Sequence, residues 1–201
     1  MNPSDSGKTP APLPGSGGVG ECATEDSVLV RRTLAGDREA FDPLTRRHQK
    51  SVYRIVYGIL RSASDAEDAV QEVFLRAYRY LASFDLSRSF EGWLMTIAVN
   101  QARGLRRSRQ ETPTRSFPRA DLLSAPPPAE SNPDLRAAAL QAVDGLPDRQ
   151  RDAMLLFLNS DLTLSEIGDA LGCSKGAVGA HLHRARAALR KALGRWAHPA
   201  L

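Results

Sequence analysis

SDAEDAVQEVFLRAYRYLASFDLSRSFEGWLMTIAVNQARGLRRSR, residues 64–109, is the stretch that decides the fold. Its first half predicts a helix, because apolar side chains recur at helical spacing from Ala66 to Leu81 and form one stripe. Ser64 and Glu67 stand three residues apart and predict a capping box at the start of this helix. Acidic and polar residues lie off the stripe near the N-terminal end, where negative charge suits the helix dipole. They are Asp65, Glu67, Asp68, Gln71 and Glu72.

The second half of the stretch predicts another helix, whose inner stripe runs from Trp93 to Leu105. A different face of this helix carries Asn100, Arg103 and Arg107 at positions i, i+3 and i+7. Four arginines and no acidic residue occur from position 103 to 109, which favours contact with a nucleic acid over an ordinary solvated basic face. Ser89, at the end of the polar loop between the two helices, is expected to cap the second one.

Composition limits the class of protein. The chain has 201 residues, enough for one large domain or two small ones, a formal net charge of +4 and a pI near 9.4. Cys22 and Cys173 are its only cysteines, so the sequence offers neither a disulfide framework nor a zinc set and suits a reducing cytoplasm. It lacks an apolar run of the ~20 residues that a membrane span needs, and a signal peptide. No catalytic motif is present, so we expect a cytoplasmic protein without enzymatic activity, cofactor or metal.

The order of composition changes along the chain predicts two all-α domains. Residues 1–24 are rich in Pro, Gly and Ser and predict a disordered tail, since they offer little apolar surface to bury. Residues 25–110 form the first predicted domain, in which Pro43 predicts either a kinked helix or a helix start near Asp42 and His48 is expected to be a packed core residue. The proline-rich residues 111–131 predict an extended, flexible linker, and residues 132–197 form the second domain.

The second domain contains a predicted helix-turn-helix. Thr163 and Glu166 predict a capping box, Gly172 predicts a left-handed helix stop, and Ser174 is expected to cap a long helix from Lys175 onward. From position 175 to 195 there are six Lys or Arg and no acidic residue. That distribution is typical of a helix that enters a DNA groove, with small polar groups toward the bases and cations toward the phosphates.

These two stretches together resemble a known family. DAEDAVQEVFLRAYRYL (65–81), followed by FEGWLMTIAVNQARGLRR (90–107), resembles domain 2 of the bacterial extracytoplasmic-function (ECF) sigma factors. LPDRQRDAMLLFLNSDLTLSEIGDALGCSKGAVGAHLHRARAALRKAL (146–193) resembles their domain 4. The resemblance implies a protein that binds bacterial core RNA polymerase, directs it to promoters with −10 and −35 elements, and aids promoter melting. It also implies control by an anti-sigma factor, with membrane contact only through a membrane-bound one.

The resemblance also implies three sets of site residues. Core polymerase would dock on the acidic face of the first helix, through Asp65, Glu67, Asp68, Gln71, Glu72 and Leu75. The −10 element would meet the loop and the helix after it, through Phe84, Asp85, Ser87, Arg88, Ser89, Phe90, Trp93, Asn100, Arg103, Arg106 and Arg107. The −35 element would meet the basic helix, through Ser174, Lys175, Gly176, Ala177, His181, Arg184 and Arg186.

The sequence departs from the family pattern in the basic helix. Family members usually carry Gly-Thr-Val, a basic residue, Ser and Arg there, whereas this chain has Gly-Ala-Val-Gly-Ala-His at 176–181. This run has fewer hydrogen-bond donors for bases and phosphates than the family pattern has. We therefore expect a weak contact with the −35 element or an unusual sequence preference there. The resemblance also implies that the linker threads toward the active-site cleft of polymerase. It further implies that polymerase fixes the separation of the two domains, which in the unbound factor are poorly organised for promoter DNA. The competing interpretation is a stand-alone helix-turn-helix regulator that binds palindromic sites as a dimer; a third, a purely protein-binding adaptor, leaves the basic faces unexplained.

Overall fold

A computed structural model describes residues 25–111 and 133–194, and the regular structure within them is helical throughout, as the sequence predicts. The predicted tail and most of the predicted linker lie outside these ranges. None of the helices in them combines the length and apolar character that crossing a bilayer requires. The α-helices are α1 (Glu25–Leu34), α2 (Phe41–Leu60), α3 (Ala63–Tyr80), α4 (Phe90–Glu111), α5 (Pro133–Asp144), α6 (Asp148–Asn159), α7 (Leu164–Leu171) and α8 (Lys175–Leu193), with 3₁₀ turns at Arg38–Ala40 and Leu81–Ser83.

The N-terminal body, residues 25–111, is built on the mutual packing of α2, α3 and α4. The apolar stripes that the sequence predicts face inward, and side chains such as Ile55, Val73 and Leu94 are fully buried. Helix α4 extends to Glu111, one residue past the predicted domain boundary. Helix α2 begins at Phe41, so Pro43 lies in its first turn, where its missing N–H costs no helical hydrogen bond.

The start of α3 differs from the prediction. Ser62, not Ser64, is the N-cap residue, and its side chain accepts a hydrogen bond from the Asp65 amide at 3.5 Å. The cause lies in the preceding residue: Arg61 ends α2 in a left-handed conformation (φ 59°), and the chain becomes extended immediately afterwards at Ser62. Because an N-cap needs this extended backbone, the cap forms two residues before the predicted one and Ser64 lies exposed in the first turn.

An ion-pair network ties α1 to α2. His48 is buried, as predicted, and its Nε2 donates to Asp26 Oδ2 at 2.7 Å. Arg47 pairs with Asp26 and with Glu25. Burial alone would raise the pKa of Asp26, but the hydrogen bonds and positive charges of His48 and Arg47 outweigh it and hold that pKa below its ordinary value of 3.8.

The C-terminal body, residues 133–194, contains the predicted helix-turn-helix. Thr163 and Glu166 form both hydrogen bonds of a capping box, Gly172 ends α7 with φ 66° and Ser174 caps α8, all as predicted. The turn also folds back tightly on α7, because a Cβ atom at Gly168 would stand only 2.6 Å from the Cys173 carbonyl oxygen. Only glycine permits this approach, which fixes the angle between the two helices.

The two bodies pack against each other, through contacts of α2 with α6 and of α4 with α7. A Cβ atom at Gly58 of α2 would stand 2.6 Å from the Leu155 methyl groups of α6, so the missing side chain makes room for that leucine. At the other contact, a Cβ at Gly92 of α4 would stand 3.6 Å from Glu166 Cβ of α7. In the described residues the two bodies are therefore in contact, an arrangement that we call closed.

Replacement of Asp26 should test the α1 anchor. We expect Asp26→Asn to lower the free energy of unfolding at pH 7 by about 1–3 kcal/mol, because it removes the partner of a buried imidazole. Since the folded-state pKa is the lower one, this stabilisation is present above pH 3.8 and is lost as the pH falls through the folded-state value. Urea unfolding of both proteins across this range measures it, and a difference that persists well below that window would contradict the ion-pair origin.

A pair of glycine variants should test the close approach in the turn. Gly168→Ala should destabilise the C-terminal body, since its methyl group would collide with a backbone oxygen that has little freedom to move. Gly179→Ala is the matched control: nothing lies within 4 Å of its added Cβ in α8, so it should stabilise by about 1 kcal/mol through helix propensity. Thermal unfolding of the two variants should therefore shift in opposite directions.

Candidate nucleic-acid interface

The loop before α4 is a structured turn. The Asp85 carboxylate accepts hydrogen bonds from the Ser87 amide at 3.0 Å and from the Ser87 hydroxyl at 2.8 Å, and these bonds lower the pKa of Asp85. Ser89 caps α4 as predicted, with Oγ accepting from the Gly92 amide at 3.2 Å. The turn leaves its polar side chains exposed. Hydroxyls and backbone groups held in this way can hydrogen-bond the edge of an unstacked base.

Aromatic side chains fasten this loop to the body. Phe84 contacts both Phe90 and Trp93, with ring centroids 5.8 and 5.1 Å apart, and Phe90 also lies 5.7 Å from the His48 ring. Phe84 and Phe90 are buried and Trp93 is half-buried. Of these three predicted −10 residues, the structure thus presents only Trp93 at the surface, and the two phenylalanines hold the loop from beneath.

The C-terminal half of α4 carries the predicted basic face. Asn100 and Arg107 are exposed. Arg103 and Arg106 are turned toward the C-terminal body: Arg103 Nε donates to Asp152 Oδ2 at 2.9 Å, and Arg106 Nη2 donates to Asp148 Oδ2 at 2.7 Å. In the loop, Arg88 pairs with Asp169. These three arginines carry fixed positive charge and planar donor sets that suit either carboxylate or phosphate.

The outer face of α3 is acidic and exposed. Asp68, Gln71 and Leu75 follow one another at i, i+3 and i+7, and all three are exposed; the Leu75 side chain retains 51% of its accessible surface. Glu72 is half-buried and pairs with Arg76 at 2.7 Å. Asp65, in contrast, pairs with Arg109 of α4, so it joins two helices of the body. Asp68, Gln71 and Leu75 therefore form one face of the N-terminal body that is accessible to a partner.

Helix α8 presents only part of its predicted contact set. Ser174, Lys175, Gly176 and Arg184 are exposed, while Ala177 and His181 are half-buried. Arg186 is exposed but lies over the Phe157 ring of α6, with its guanidinium carbon 4.8 Å from the ring centroid. The contact of the Arg186 guanidinium with the Phe157 ring helps α6 to pack on α8. In this position Arg186 is less available to DNA than a free arginine would be.

His183 is not among the predicted DNA contacts, yet the structure exposes it beside Arg184. The signal was available in the helical spacing, because Val178, Leu182 and Ala185 face inward and place position 183 on the outer side. Elsewhere in 25–111 and 133–194, no three His, Cys, Asp or Glu side chains are grouped so that they could hold a metal ion.

Two known protein families match the chain, one in the N-terminal body and one in the C-terminal body. Residues 44–112 match Sigma-70 region 2, and residues 136–189 match Sigma-70, region 4. The first match begins in the first turn of α2 and runs through α4, and the second contains the helix-turn-helix.

The chain matches several known proteins over nearly the whole length of those proteins. The RNA polymerase sigma-H factor of Pseudomonas aeruginosa is 30% identical over 84% of this chain and 94% of its own. The ECF RNA polymerase sigma factor SigW of Bacillus subtilis is 32% identical over 82% and 94%, and SigM of Mycobacterium tuberculosis is 34% identical over 91% of each chain. Among solved structures, CnrH in complex with the cytosolic domain of CnrY matches 85% of this chain and 98% of its own, with a TM-score of 0.66 and 25% identity.

Proposed function

The chain belongs to the ECF sigma factors, which direct bacterial RNA polymerase to specific promoters, and we propose that its exposed faces divide this task among them. Helix α3 docks on core polymerase, the loop and α4 contact the −10 element, and α8 contacts the −35 element. One observation supports this division best: a helix-turn-helix follows, along the chain, an N-terminal body that has one acidic face and one basic face. Such a protein selects promoters without chemistry of its own, and we place it in the cytoplasm, where the polymerase acts.

The docking surface on polymerase is the exposed part of α3. Asp68, Gln71 and Leu75 lie on one face of the helix, so a partner can contact all three together. Glu72 borders this face, with its charge shared with Arg76. Asp65 acts from inside the body, where its pairing with Arg109 orients the acidic helix against α4.

In the N-terminal body, the exposed groups of the loop read the −10 element and those of α4 hold its backbone. Asp85, Ser87 and Trp93 border the surface where an unstacked base can be received, while Phe84 and Phe90 keep that surface rigid. Asn100, Arg103, Arg106 and Arg107 supply donors for phosphates. Stacking and phosphate contacts together bind the melted strand, and this stabilises the opened promoter.

In the C-terminal body, the N-terminal end of α8 approaches the bases of the −35 element. Ser174, Lys175 and Gly176 lead this end, and Arg184 reaches a phosphate further along. His183 is a further candidate for a DNA contact beside Arg184. The run of small residues at 176–180 offers few hydrogen-bond donors, so base discrimination at −35 depends on few side chains.

An anti-sigma factor is the expected regulator. The solved relative CnrH is bound to the cytosolic domain of CnrY. We propose that a comparable partner of this chain covers the exposed α3 face and so prevents docking on polymerase.

The docking surface predicts the behaviour of a double variant. Asp68→Arg combined with Gln71→Ala should abolish association with core polymerase while the helical circular dichroism and the melting temperature stay unchanged, since both side chains are exposed. Co-elution with core polymerase and run-off transcription measure the effect. Asp42→Arg, an equal charge reversal at an exposed site of α2, is the matched control and should keep binding. Transcription by the double variant at the normal level would refute docking through α3.

The assignment of Arg184 to a phosphate predicts a uniform effect. Arg184→Glu should weaken binding of the polymerase complex to all promoters alike and lower the slope of log affinity against log salt by about one. Lys191→Glu makes the same charge change near the far end of α8 and should have a smaller effect. Titrations of two unrelated promoters at several salt concentrations test this; a loss confined to one promoter would assign Arg184 to a base instead. A stand-alone regulator would instead shift operator DNA without polymerase.

A further inference from the structure

Four ion pairs between described residues join the two bodies, and all four have the same polarity. The arginine lies in the N-terminal body and the carboxylate in the C-terminal body in every case. The pairs are Arg61–Asp144, Arg88–Asp169, Arg103–Asp152 and Arg106–Asp148. The C-terminal body thus has an acidic face, in addition to its basic helix α8, and that face fits the basic face of the N-terminal body.

We propose that this acidic face is an intramolecular inhibitor, which in the unbound chain occupies the arginines that otherwise hold promoter DNA. The proposal rests on the function proposed above, because Arg88, Arg103 and Arg106 belong to the −10 surface. Carboxylates of α6 and α7 take the place of phosphates, and the factor binds the melted strand only after its two bodies separate.

The geometry leaves little room for a phosphate while the bodies are closed. Asp152 Oδ2 lies 2.9 Å from both Nε and Nη2 of Arg103, and the carboxylate is fully buried. The Arg103 and Arg106 side chains keep only 17% and 19% of their accessible surface. Since a guanidinium binds an anion along its planar edge, the same edge serves either the aspartate or the phosphate.

The two carboxylates on α6 and the two arginines on α4 each stand about one helical turn apart. Asp148 and Asp152 are four residues apart on one face of α6, and Arg103 and Arg106 are three residues apart on one face of α4. Two anions are therefore presented to two cations in register. A third contact, between Arg88 and Asp169, occupies the loop at the other end of the −10 surface.

The α3 docking face is outside this contact, because Asp68, Gln71 and Leu75 remain exposed in the closed chain. Polymerase can therefore approach α3 before the bodies separate. The closed arrangement blocks the DNA-binding surface but leaves the polymerase-binding surface accessible. DNA binding therefore depends on polymerase, which separates the two bodies.

A disulfide that locks the closed state is the first test. The Cβ positions of residues 92 and 166 are 3.6 Å apart, within the range of a disulfide, so Gly92→Cys with Glu166→Cys should cross-link in a chain whose Cys22 and Cys173 are replaced by serine. The probe is a fluorescent single-stranded DNA of random sequence, followed by anisotropy. Oxidised protein should bind it at least about tenfold more weakly than the same protein after reduction. Failure to cross-link, or equal binding in both states, would overturn the proposal.

Removal of single carboxylates is the second test. Asp148→Asn and Asp152→Asn should each bind the same probe several-fold more tightly than the parent chain, because each releases one arginine. Asp148 is exposed, so its variant remains informative if the buried change at Asp152 impairs folding.

Asp161→Asn is the matched control, since it also removes one negative charge from the C-terminal body. Burial raises the pKa of Glu91, the His48 imidazole lowers it, and the Asp161 carboxylate raises it again. Asp161 thus lies near a carboxylate and is not the partner of any of the four arginines, so its loss should leave binding unchanged. Equal gains at all three positions would show a general charge effect and refute the inhibitor.

A further variant separates this proposal from the proposed function. Arg103→Glu with Arg106→Glu should abolish promoter-dependent transcription by the polymerase complex if α4 holds the −10 strand. Retained transcription would refute the −10 assignment itself. Lost transcription, together with a cross-link that has no effect on DNA binding, would refute only the inhibitor.

Discussion

The contact between the Arg103 guanidinium and the Asp152 carboxylate is the most deeply buried of the four ion pairs that join the two bodies, and it constrains how they pack. Both groups are largely withdrawn from water, and a buried charge without a counter-ion is costly. Removal of either group alone is therefore expected to destabilise the closed chain strongly, whereas separation of the bodies returns both groups to solvent together. Such an interface is specific when closed and can still open, since the attraction across it is offset by the hydration that each group regains.

Helix α4 has to satisfy this constraint while it serves as a wall of the N-terminal core. Its apolar stripe, with Leu94 and Ala98 at its centre, packs on α2 and α3, and its first turn contributes Phe90 to the aromatic cluster under the loop. The remaining surface carries its arginines. One helix therefore fixes the position of the loop at 84–89, the basic face and the contact with α7, so movement of α4 would disturb all three together.

The sequence predicted the features that depend on neighbouring residues along a helix. The capping box at Thr163, the left-handed Gly172, the Ser174 cap and the inward stripes follow from spacings within one or two turns, and the structure confirms each. Ser62 was missed because its role depends on how α2 ends. Phe84 and Phe90 were named as −10 residues through the family resemblance, and their burial depends on the path of the loop, which helical spacing does not give.

The ion pairs between the bodies could not be predicted in this way. Their partners stand 42 to 83 residues apart, and helical periodicity carries no information over such a distance. The same limit applies to Gly58 and Leu155, whose fit depends on the path of the chain between them. The basic face of α4 was visible in the sequence, whereas no local pattern marked the acidic residues that complement it.

The order of the partners along the chain has a consequence for biosynthesis. Arg103 and Arg106 leave the ribosome before Asp148 and Asp152, and at roughly 5–20 residues per second the delay lasts on the order of several seconds. During that interval the arginines of the cationic helix have no carboxylate partner from the C-terminal body and stand among ribosomal RNA and messenger RNA. Translation therefore passes through a stage in which this helix is attracted to the nearest polyanion, and the later half of the polypeptide ends that stage.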